Sequence, residues 1–194
     1  MLRGHALALA VILLAAVATG RATSSVMAQA QRINPDAKTM ADFEARVNAY
    51  AALHRKLEAT LPNLPREATP QQISTHQIPL AQMIARARSG AKAGDIFTKD
   101  TRALFRRFLA RVFQGRDGAE LKALIMDENP GKLRLQVNGP YPESAPLSTV
   151  PPQVLQALPK LPEDLQYRFI GDRLVLVDLH ANTIVDVIED AIPR

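Results

Sequence analysis

The run LVLVDLHANTIVDVIED, residues 174–190, sets two aspartates and a histidine among valines, leucines and isoleucines. If residues 173–180 form a strand, Asp178 and His180 leave the same face, a spacing that can present two metal ligands side by side. The part played by Asp186 depends on the turn between the strands. With Ala181-Asn182 as a two-residue loop, Asp178 pairs with Val185 and Asp186 points to the opposite face. With a three-residue loop, Asp178 lies across from Asp186, where two like charges repel unless a cation or a proton sits between them. Two-residue loops are the commoner, and that register also sets Leu174, Leu176, Val185 and Val187 on one face. Asp178, His180 and Asp186 are thus candidate ligands for a divalent transition metal, the one cofactor the residues suggest. The plain alternative makes them turn and loop-capping residues.

A second chemistry lies in the nine Lys and Arg residues between positions 86 and 116, set against Asp95 and Asp100. On a helical wheel Arg107 and Arg111 sit opposite the apolar face and Arg102 and Arg106 flank it, an arrangement able to hold a polyanion, an anionic surface or an envelope protein. Residues 161–194 carry seven acids and three arginines, so attraction between the two parts of the chain competes for the same charges. His54 and His76 fall on the inner sides of their helices, as hydrogen-bonded core histidines do. Residues 127–131 start like a calcium loop, but Gly131 stands where its fifth, acidic position should be. G-x-S-x-G, H-E-x-x-H and glycine-rich phosphate or dinucleotide motifs are absent.

These groups must be positioned by a helical first half and a stranded end. Met40, Phe43, Val47, Tyr50, Leu57 and Leu61 recur at helical spacing over 36–61, with His54 in the one gap, and Leu61-Pro62-Asn63-Leu64-Pro65 ends the helix. Thr69, Pro70 and Gln72 form a capping-box start for a second helix that carries Pro79 inside it. A third helix over 98–114 is expected to bury Leu104, Phe105, Phe108, Leu109, Val112 and Phe113, and a short fourth follows over 119–128. Residues 132–137 alternate like a strand, and seven prolines between 139 and 162 make that stretch extended, with a short helix at 153–158. Three strands are predicted at 165–170, 173–180 and 183–188. The fold class is therefore α+β, a helical N-terminal bundle followed by a small antiparallel β-meander, with a helical lobe at 31–128 and a proline-rich and β lobe at 129–194.

Arg3, the apolar run 6–18 and Ala28-Gln29-Ala30 have the layout of a signal peptide cleaved after Ala30. The run is too short for a membrane span, and no later segment approaches one. Removing the leader takes away two basic residues and no acid, so the net charge falls from +5 to +3. With no cysteine in the chain, disulfides, thiol nucleophiles, thiolate metal sites and lipoprotein acylation are excluded.

Residues 167–178, YRFIGDRLVLVD, resemble the C-terminal hairpin of small exported bacterial proteins, among them the periplasmic nickel and cobalt homeostasis family. The likeness covers about a dozen residues, and this chain has His180-Ala181-Asn182 where those proteins usually have a proline and basic residues. The chain beyond the leader is similar to uncharacterised exported bacterial proteins, which implies a periplasmic location and supplies no chemistry. The expectation is an exported, periplasmic or secreted, non-enzymatic protein that binds an envelope partner and no nucleic acid. The alternatives are a metal-binding or metal-homeostasis protein using Asp178 and His180, and a carboxylate-dependent hydrolase.

Overall fold

Phe43, Val47, Tyr50 and His54 recur at spacings of four, three and four along the first helix, α1 (Pro35–Glu58), and all four are buried. That stripe faces the rest of the chain in the computed structural model, which describes residues 34–129, 131, 133–147 and 150–193. The expected leader, residues 1–30, lies outside the described residues. Among these no helix is long and apolar enough to cross a membrane.

Helix α2 (Pro70–Ala87) starts on the expected box: the Thr69 hydroxyl accepts from Gln72 N–H, and the Gln72 side chain accepts from Thr69 N–H. Pro79 sits inside the helix, which runs on to Ala87. Helix α3 (Lys99–Phe113) starts at Thr98 and buries Leu104, Phe105, Leu109 and Phe113; α4 (Gly118–Asp127) and the single-turn-scale α5 (Pro152–Ala157) follow. Phe43, Phe97 and Phe105 meet ring on ring at 4.9–5.8 Å, joining α1 to α3.

The strands β1 (Leu165–Ile170), β2 (Arg173–Asp178) and β3 (Thr183–Ile188) form an antiparallel sheet in the order β1-β2-β3. The α+β architecture is as the sequence predicts: five helices, then a three-stranded meander, among the described residues. Gly171 opens the β1–β2 turn at φ 59°, a conformation glycine takes at no steric cost. The second turn departs from both expected registers. Asp178 pairs with Thr183, so β2 stops at Asp178 and residues 179–182 form a four-residue turn. Val177 then pairs with Ile184 and Leu176 with Asp186, leaving Val185 as the extra residue of a bulge. The bulge returns Asp186 to the helical side of the sheet, the side that Asp178 also faces.

Leu174, Leu176, Val185 and Ile188 join the helical core, while Val175, Val177, Ile184 and Val187 form a second, smaller cluster on the outer face. The segment 133–137, expected as a strand, has no ladder. Leu133 and Leu135 lie across that outer face, where side chains find apolar contact but backbone groups find no neighbouring strand edge. Only beyond them does the chain reach the edge of β3: Asn138 N–H donates to Ile184 O, Ile184 N–H to Gly139 O, and Tyr141 N–H to Asn182 O. Tyr141 and Ala145 complete the outer layer.

Candidate functional site

Helix α1 places Tyr50, His54 and Glu58 one turn apart on one side, because residues four apart share a helical face. Tyr50 and His54 are buried against the end of β2, where the fully buried Asp178 receives them. Tyr50 Oη donates to Asp178 Oδ2 at 2.7 Å and His54 Nδ1 to the same oxygen at 2.6 Å. Asp178 Oδ1 accepts from Ala181 N–H at 2.8 Å, which folds the 179–182 turn back over the strand end. Burial and the adjacent Asp178 carboxylate hold the Tyr50 phenol far above its ordinary pKa, so its hydroxyl keeps the proton and donates.

The other ring nitrogen of His54, Nε2, lies 3.1 Å from Glu58 Oε2, and His180 Nδ1 lies 2.9 Å from Glu58 Oε1. His54, Glu58 and His180 each offer a ligand atom within 4.8 Å of the others. The two histidines meet different oxygens of Glu58, and the three donors, all within 4.8 Å of one another, would have to draw in to the roughly 3.3 Å that separates ligands held about 2.0–2.1 Å from a tetrahedral ion. The two imidazole centroids are 5.6 Å apart, close to the roughly 5 Å that two rings on one tetrahedral ion adopt. Behind the ligands, Asp178 on His54 Nδ1 fixes the tautomer that leaves Nε2 free for a metal, the usual carboxylate–histidine–metal relay.

Burial alone lowers the His54 pKa, but the hydrogen bond to Asp178 and the charges of Asp178, Asp164 and Glu58 outweigh it, and His54 titrates above its ordinary value. Metal-free protein is therefore held together in part by an imidazolium donating to both carboxylates. That contribution is fully present below the unfolded-state pKa of about 6.5 and is lost as pH rises through the higher folded-state value. Urea resistance of the metal-free protein will fall as pH rises above about 6.5, and His54→Gln will flatten that fall. A variant with the wild-type pH profile would acquit His54.

Of the residues singled out in the sequence, His180 reaches the cluster and Asp178 stands behind His54, bonded to it, rather than beside His180. The strand face that was to present Asp178 and His180 together ends at Asp178, so His180 is carried by the turn. Asp186 is elsewhere. Its buried carboxylate accepts the N–H groups of Gly94, Ile96, Phe97 and Val187, each at 2.8 Å, and anchors the loop before α3. Arg106 donates to the carbonyls of Glu189 and Asp190, Arg107 pairs with Asp36, and Arg102 lies against Gly94. The basic helix thus grips the acidic C-terminal turn through that turn's backbone. Glu58 was missed by sequence reasoning; its signal was the Tyr50-x3-His54-x3-Glu58 spacing.

A cleft of about 490 Å³ opens beside the cluster, walled by the last turn of α1, the 59–69 connection, the first half of α2 and the 179–182 turn. Glu58, His180 and His76 line it. The arrangement gathers nitrogen and oxygen donors on a cleft wall, at a spacing that could hold a metal ion. No family model, curated protein or solved structure matches this chain.

Proposed function

We propose that this protein is an exported binding protein for a divalent transition metal, held by His54, Glu58 and His180. One observation carries the reading: three donors from α1 and the β2–β3 turn converge at coordination spacing, and the buried member is oriented by Asp178. Imidazole and carboxylate donors suit zinc, nickel, cobalt and copper(II), and with no thiolate the site has no special preference for soft ions. Export is supported by the leader-like residues 1–30. Binding is favoured over carboxylate-dependent hydrolysis because, among the described residues, Glu58 is the one acid lining the cleft, and paired-carboxylate chemistry needs two acids in one site.

Titration of residues 31–194 with zinc, nickel and cobalt, followed by calorimetry, tests the proposal. A saturable one-to-one isotherm is expected, weakened at least about tenfold in His180→Ala. His180 is half exposed, so this variant keeps its fold and reports on the ligand. Absence of saturable binding by all three ions, or an unchanged isotherm in His180→Ala, would overturn the proposal.

A further inference from the structure

Three protein donors leave a divalent transition ion one position short of tetrahedral and two short of the five-coordinate state that open sites also adopt, the arrangement of sites that accept an outside ligand rather than of closed structural sites. Glu58 and His180 line the cleft, whereas His54 has no exposed surface beneath them. An ion on these three residues therefore sits on the cleft wall, and its remaining positions open into the cleft. A dipositive ion facing one carboxylate and two imidazoles keeps a positive charge among its own ligands, which an anion neutralises.

The rest of the cleft has a second, independent character. Leu64, Ile73 and Leu179, three of the larger exposed aliphatic side chains, converge on it. Solvent-facing apolar side chains gathered around a concavity mark a place where another apolar body is received. Arg55 stands at the same opening with its side chain largely exposed, 4.0 Å from Asp164. At the α2 wall His76 is buried, and its Nδ1 has no hydrogen-bond partner among the described residues.

Resting on the metal reading, we infer that the protein takes its ion as a ternary complex with a small chelating carboxylate that carries an apolar body. The carboxylate and a neighbouring donor complete the coordination of the ion, the apolar body lies against Leu64, Ile73 and Leu179, and Arg55 favours the anion at the mouth. The protein recognises a metal chelate and not the bare ion alone.

The test uses cobalt(II), whose visible absorption reports its ligands, and picolinate, a flat bidentate nitrogen-and-carboxylate chelator. Cobalt-loaded protein is titrated with picolinate and then desalted. The expected result is a saturable spectral change distinct from that of free cobalt–picolinate, with cobalt and picolinate both retained on the protein. Ile73→Trp, which fills the cleft from a half-exposed position, will bind cobalt as the wild type does and picolinate at least about tenfold more weakly. If cobalt binds but picolinate strips it, or leaves its spectrum unchanged, or binds Ile73→Trp like the wild type, the ternary complex is wrong and the metal site stands. If cobalt alone produces no protein-dependent spectrum, the metal reading fails and this inference falls with it.

Discussion

If the proposed metal site is right, His54→Ala will erase the metal-dependent rise in melting temperature that it predicts. At an ion concentration one hundred times the dissociation constant, a native-state ligand adds about 2.7 kcal/mol. For a folded unit of this size that is a rise of roughly 5–10 °C. The variant loses the one ligand held rigidly from behind, so no comparable rise remains. It also costs the metal-free protein about 3–5 kcal/mol, because a buried partner of Asp178 is removed and a hole opens beneath α1. Asp178→Asn separates these effects. It keeps the shape of the pocket and loses the acceptor that sets the His54 tautomer, which lowers metal affinity about 10–100-fold while the ligands stay in place. Differential scanning fluorimetry with and without zinc reads both variants, and a full metal-dependent rise in His54→Ala would remove this histidine from the site.

Asp186→Ala will be the most damaging single change away from that cluster. Its two oxygens serve four backbone N–H groups, three of them in the loop that seats Ile96 and Phe97 in the core. Each orphaned buried donor costs about 1–3 kcal/mol, so even with partial hydration the loss is about 4 kcal/mol, a large part of a typical domain's stability. Urea unfolding measures it. A loss below about 1 kcal/mol would show that the loop holds its shape without the carboxylate.

What could be read ahead from the residues was local. Thr69-Pro70-x-Gln72 announces a helix start because the cap needs only its own four residues, and Gly171 announces a turn because the backbone there needs φ above zero. Ala181-Asn182 carried an equally local signal and was misleading. Asp178 is captured by α1 and by Ala181 N–H, and the Asn182 carbonyl by Tyr141, so contacts distant in sequence decide how long that turn is. Residues 133–137 show the same limit: the alternation marks Leu133 and Leu135 as seeking apolar contact, but whether they meet a sheet at its face or its edge is settled by packing. The candidate site divides along this line. Tyr50, His54 and Glu58 could be linked by counting fours, whereas their meeting with Asp178 and His180, more than 120 residues further on, follows only from the docking of α1 on the strand end.

The short crossing of residues 138–141 along β3 has a bearing on how this protein behaves in concentrated solution. An open strand edge is a template on which a second molecule can stack its own backbone, the first step toward fibrous association. Here the chain supplies its own occupant for that edge, and the occupant is self-limiting. Pro140, bridged to Thr183, has no N–H to offer a further strand, so the row of hydrogen bonds that begins at β3 cannot be continued outward at that residue.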